Sequence, residues 1–187
     1  MEVKGFSVRE LVLCAFFVAL AAVGARIRVP VPVVPFTLQF LFTTLAGLTL
    51  GARGGAAAVG VYILLGLAGV PVFAEGGGPA YILQPTFGYL IGFAAGAWIS
   101  GRVAYAGTPS FRRFLVASFA GLGAVYGCGM FYCWLVSNFV LGTPIALGPL
   151  ILYCFVLAVP GDLLLCFVSA QIAVRVLERR AIFNVRP

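Results

Sequence analysis

The sequence predicts an all-α integral membrane protein, a six-transmembrane-helix bundle with its N- and C-termini cytoplasmic. Three observations predict it. The 187 residues are 63% hydrophobic and only 9% charged, with mean hydropathy +1.13, whereas charged residues make up about a quarter of a soluble domain. The apolar runs are long and do not alternate, which suits helices of about 20 residues and excludes the strands of about 10 residues from which a membrane barrel is built. Basic residues also segregate by loop. Lys4, Arg9, Arg53, Arg102, Arg112, Arg113, Arg175, Arg179, Arg180 and Arg186 fall on one side, and only Arg26 and Arg28 on the other. Lys and Arg are retained in the cytoplasm, so the richer side is cytoplasmic and the number of spans is even.

One membrane domain, residues 1–187, accommodates spans at about 9–26, 36–51, 55–70, 85–100, 114–136 and 160–178. The first follows a short basic start and ends in Val23-Gly24-Ala25, which imitates a signal peptide. The charge pattern needs this segment as a span, so it is kept. Ala15 with Ala19, and Ala21 with Ala25, are small residues four apart, and each pair makes a flat strip where another helix can approach.

Pro30, Pro32 and Pro35 then exclude a helix. The second span carries Gln39 near its start, and Gly51-Ala52-Arg53-Gly54-Gly55 reads as the turn into the third. Between the third and fourth spans lies the least generic stretch of the chain, Val72 to Phe93. It holds Gly76-Gly77-Gly78, Pro79 and Pro85, Glu75, Gln84 and several aromatics. In the fourth span Gly88, Gly92, Gly96 and Ser100 recur every four residues, a stripe suited to close helix contact. The fifth contains Tyr126 and Trp134. Pro160 opens the sixth, because proline is favoured in the first helical turn, and this places Asp162 where a carboxylate faces the positive helix end. Residues 143–158 become a partial helix or loop over the bundle, or else the first part of a single kinked span that holds Asp162 at mid-depth.

Most catalytic chemistry lacks its parts. There is no His, and none of the five cysteines forms a Cys-x-x-Cys pair. They read as small buried apolar residues, with no metal site. The glycine triplet is not followed by the Lys-Ser/Thr of a phosphate loop. The net charge of +7 is largely the orientation signal itself and calls for no nucleic acid. Glu75 and Asp162 are the only acids away from the termini. They permit a small intramembrane enzyme as one reading. The other is a non-enzymatic membrane receptor with an outward-facing pocket, needing no cofactor. There Asp162 accepts hydrogen bonds from a neutral ligand. Gln39 and Gln84 offer amides, and Phe73, Tyr81 and Tyr89 offer rings. Arg26 or Arg28 faces a ligand carboxylate at the mouth.

The order of four segments resembles the BioY family, the biotin-specific capture components of energy-coupling-factor vitamin transporters. They are Val34-Pro35-Phe36-Thr37-Leu38-Gln39; Gly66 to Ala74; Pro85-Thr86-Phe87-Gly88-Tyr89-Leu90-Ile91-Gly92-Phe93; and Pro160-Gly161-Asp162. The resemblance implies six helices in the cytoplasmic membrane and capture of biotin from outside. It also implies release driven by a membrane coupling subunit joined to two ATPases, or a carrier working alone. A related component for another small vitamin or a biotin precursor stays open beside it. Residue by residue, the resemblance assigns Gln39, the Ala74–Gly78 loop with Gly77, Tyr89 and Asp162 to the pocket, with Asp162 at the ureido ring. It makes Ala15 and Ala19 the docking strip for the coupling subunit. The family usually carries Lys three residues after the Asp; here that position is Leu165. Gln84 and Phe87 stand where glycine is common.

Overall fold

Caps, prolines and glycines divide the chain before packing does. The computed structural model describes residues 6–29 and 36–184. Lys4, the proline-rich segment 30–35 and Arg186 lie outside the described residues. Helix α1 (Val8–Arg26) opens on Ser7, whose hydroxyl accepts the Glu10 N–H at 3.3 Å while Glu10 Oε2 accepts the Ser7 N–H at 2.8 Å. Two otherwise unpaired donors are thereby satisfied. A two-residue ladder follows, β1 (Arg28–Val29) antiparallel to β2 (Phe36–Thr37), and Leu38 N–H extends it to Ile27 O at 3.2 Å.

Helix α2 (Gln39–Leu67) is 29 residues long but not straight. Gly51 sits at φ 75°, ψ 179°, a conformation that side chains other than glycine's rarely allow. Gln39 Nε2 lies 2.7 Å from Tyr62 Oη, 23 residues on, and a straight helix would hold those positions about 34 Å apart. The helix therefore folds back into two antiparallel arms, 39–50 and 52–67. The sequence reading gave the turn five residues, Gly51 to Gly55, yet the break is Gly51 alone. Gly55 serves instead as a contact: a Cβ there would stand 2.6 Å from Gly47 Cα. The two arms touch backbone to backbone.

The loop after α2 contains a 3₁₀ turn at Pro79–Leu83. Helix α3 (Phe87–Ala104) follows, then α4 (Phe111–Phe139), capped by Ser110, whose Oγ accepts the Arg113 N–H at 3.3 Å. The partial helix expected over 143–158 is a short α5 (Leu147–Ile151) running into a π-helical turn (Leu152–Val156). Helix α6 (Val159–Asn184) takes Pro160 in its first turn.

Helix α3 lies between α2 and α4, α1 packs on α2, and α6 closes against α2 and α4. The glycine stripe is the α3–α4 seam. A Cβ at Gly92 would stand 2.8 Å from Val125 Cα, and one at Gly96 would stand 2.9 Å from Gly121 O. Among the described residues, four helical stretches are long and apolar enough to cross a membrane: Val8–Arg26, Gln39–Leu67, Phe111–Phe139 and Leu147–Arg179. The outer surface matches that solvent. Leu11, Val12, Phe16, Leu64, Trp98, Phe131, Leu164 and Phe167 are all exposed, a density of bare apolar side chains that water would not tolerate.

Candidate functional site

A cavity of about 640 Å³, its open mouth included, lies between α2, α3, α4, the π-helical turn and the start of α6. Its floor is aromatic and aliphatic, with Phe36, Phe40, Leu90, Phe93 and Val125. Its polar groups are few, and each is placed by a different element.

Asp162, in the first turn of α6, is only 9% exposed. Its Oδ2 accepts a 2.5 Å hydrogen bond from Tyr126 Oη. Tyr126 reaches it from α4 and packs edge-on against Tyr89 (6.2 Å between ring centres) and Phe155 (5.1 Å). Tyr89 Oη donates to Cys154 O at 3.1 Å, tying α3 to the π-helical turn. The carboxylate is thus held at one oxygen by a phenol inside a ring-lined wall. Its remaining lone pairs are strong acceptors for a ligand N–H, because little water competes.

Gln39 begins the first arm of α2 and is buried. Its Oε1 accepts from Thr37 Oγ1 at 3.1 Å, its Nε2 donates to Tyr62 Oη at 2.7 Å, and Tyr62 donates in turn to Val72 O at 2.9 Å. The amide therefore braces the cavity against the loop. Glu75, Ala74 and Tyr81 line the loop side, with Thr86 beside them. Burial pushes the Tyr81 phenol above its ordinary range, Glu75 adding to the effect while Thr86 and Arg28 oppose it. Tyr81 is a neutral donor at any ordinary pH.

Of the residues singled out from sequence, Gln39, Glu75, Tyr81, Tyr89 and Asp162 come together around this cavity. Phe73 does not line it. Its fully buried ring lies over Gly66, between Tyr62 (5.5 Å) and Tyr81 (4.5 Å), and anchors the loop from beneath. Gly77 is also off the wall: a Cβ there would meet the carbonyls of Val70 and Gly66, so its role is close backbone approach. Gln84 is exposed. Arg26 donates to Pro71 O, and Arg28 Nη1 donates to Ala74 O at 3.2 Å. Both guanidinium groups hold the loop from outside and neither lines the cavity. Among the described residues its lining has two carboxylates and no cation.

The sequence reading missed Tyr126, Thr86, Cys154 and the apolar floor. A tyrosine or threonine in an apolar run carries no mark of which way it faces. Tyr126 is 36 residues from Asp162, a spacing no local period connects. Among the described residues no cluster of three metal-ligating side chains occurs. On α1, Ala15 and Ala19 are exposed while Ala21 and Ala25 are buried, so one small-residue pair faces outward and the other faces α2.

Comparisons with known proteins agree with this architecture. The family model described as the BioY family matches residues 1–181. A "Probable biotin transporter BioY" of Lysinibacillus sphaericus is 43% identical over 173 residues, 92% of this chain and 88% of that protein. The "Biotin transporter BioY" of Thermotoga maritima is 41% identical over 171 residues, 89% and 95% of the two chains. Among solved structures, the crystal structure of the S-component for biotin from an ECF-type ABC transporter superposes with a TM-score of 0.78. It is 25% identical, and the match covers 95% of each chain.

Proposed function

The chain belongs to the BioY family, and from that premise we propose that it captures biotin in the cavity beside Asp162 and mediates its uptake as the S component of an ECF-type transporter. It transforms nothing. The observation that carries the reading is the Asp162 carboxylate, held at one oxygen by Tyr126 and otherwise facing an apolar cavity. A cyclic urea offers two N–H donors and a ring system that such a wall suits.

The proposed topology is six crossings in the cytoplasmic membrane: α1, the two arms of α2, α3, α4 and α6, with both termini cytoplasmic. Three features support it. Gly51 makes two spans of one 29-residue helix. Arg53, Arg102 and Arg113 lie in or beside the turns on the Gly51 side. Arg26, Arg28 and the cavity mouth lie at the other end. The exposed Ala15–Ala19 strip is the proposed seat for a membrane coupling subunit, itself joined to two ATPases, with small residues allowing close approach.

Protein purified in detergent is expected to bind labelled biotin and return it chemically unchanged. Purified, folded protein that retains no biotin would end this reading. The two arginines supply a second expectation. Because each is bonded to a loop carbonyl, Arg28→Ala and Arg26→Ala loosen the loop by a hydrogen bond to a charged group, about 1.5–3 kcal/mol at most. Affinity for biotin and for biotin amide should therefore fall by the same factor. A loss confined to the free acid would instead make that arginine the carboxylate's direct partner, as the sequence reading expected.

A further inference from the structure

Biotin carries an acid at the end of its tail, yet among the described residues the cavity proposed to receive it is lined by two carboxylates and no cation. The acid must meet neutral donors. Most of the lining donors are already committed: Thr37 to Gln39, Gln39 to Tyr62, Tyr89 to Cys154 O, and Tyr126 to Asp162. Thr86 and Tyr81 are not among them. Thr86 Oγ1 is buried, lines the cavity and completes no hydrogen bond of good geometry, although the Tyr81 phenol stands within its reach.

A buried hydroxyl whose bonding is incomplete is destabilising unless something completes it. Threonine at this position has an obvious alternative use, because Thr86 is the N-cap of α3, where the side chain ordinarily accepts a first-turn N–H. Here it makes no cap bond. The Tyr81 phenol stands alongside, so two neutral hydroxyl groups share the loop end of the cavity. Asp162 and Tyr126 line the same cavity from α6 and α4. Thr86 precedes Tyr89 by three residues, roughly one helical turn nearer the loop. Asp162 and Thr86 thus share one cavity, within which a ligand with its ring on Asp162 can carry its tail to Thr86.

Resting on the biotin reading above, we propose that Thr86, flanked by Tyr81, is the residue that recognises the ligand's tail carboxylate. It donates its hydroxyl proton to that group in a lining that offers no cation among the described residues. Specificity for the acid then comes from a neutral donor held in a dry wall.

The test compares biotin with the analogue whose tail ends in a methyl group, in wild type, Thr86→Val and Thr86→Ser. Valine keeps the shape and removes the hydroxyl. The expected result is a loss of roughly tenfold to a hundredfold for biotin in Thr86→Val, the range for a hydrogen bond to a charged group. The methyl-tailed analogue should change by less than about threefold, and Thr86→Ser should restore the wild-type ratio. Equal losses for both ligands, or no loss for either, would overturn the proposal. If Thr86→Val does not fold, Thr86→Ala reads the same ratio without the added methyl. Wild-type protein that binds neither ligand refutes the biotin reading itself, a failure distinct from an unchanged ratio.

Discussion

Asp162→Ala is expected to abolish biotin binding, lowering affinity by at least about a hundredfold. Two losses combine. The ligand's N–H groups lose an ionised acceptor, a bond of about 1.5–3 kcal/mol, and the Tyr126 hydroxyl, donor to Asp162 at 2.5 Å, is left buried without a partner. Asp162→Asn separates the two. It keeps the shape and one acceptor oxygen but removes the charge, and its amide presents donors where the ligand also presents donors. Its loss should be about tenfold or more. Tyr126→Phe, which spares the carboxylate and removes only its brace, should cost less than either. Equilibrium binding of labelled biotin, with thermal unfolding as a control for the fold, makes the comparison. An Asp162→Asn protein binding like wild type would remove Asp162 from the site.

Gly55→Leu is expected to yield no folded protein. A Cβ at Gly55 would lie 2.6 Å from Gly47 Cα, 2.7 Å from Gly47 N and 3.0 Å from Ala46 C, all of them backbone. A flexible side chain could swing away from such an intrusion, but the two arms of α2 would have to part. Overpacking a close-packed site costs typically 1–3 kcal/mol, and a leucine between touching backbones exceeds that range. The same helix supplies the control. Gly60 has open space around its missing side chain, so Gly60→Ala should extract as well as wild type, and alanine's better helix propensity favours it by up to about 1 kcal/mol. Size-exclusion profiles and melting temperatures of the detergent-extracted proteins read both. A well-folded Gly55→Leu would show that the two arms do not touch as described.

Much of this was legible because the informative residues announce themselves chemically. Proline and glycine mark where helices stop, so Pro160 located the start of α6 and Gly51 the reversal of α2. An acid or amide in an apolar run stands out by its cost, which is why Asp162, Gln39 and Glu75 were found. The four-residue glycine period gave the α3–α4 seam. The remainder depended on direction. Phe73 looked like a ligand-facing ring and instead plugs the space above Gly66, because the loop needs an apolar anchor. The sequence offers Arg26 and Arg28 as partners for a ligand carboxylate, whereas both are bonded to loop carbonyls 45 and 46 residues away. Tyr126 and Thr86 carried no outward sign, since their roles arise only when α3, α4 and α6 converge.

The reversal at Gly51 also orders events in time. Gly47 and Gly55 meet across eight residues, so closing that hairpin costs little chain entropy, and local contacts of this kind form fast. Tyr126 and Asp162 meet across 36 residues, Tyr89 and Cys154 across 65. The hairpin can thus be complete while the C-terminal third of the chain is still being synthesised. Its first arm already carries Gln39 and one wall of the cavity. The wall that holds Asp162 arrives with the last helix, so a chain released before α6 would have a scaffold and no capacity to retain its vitamin.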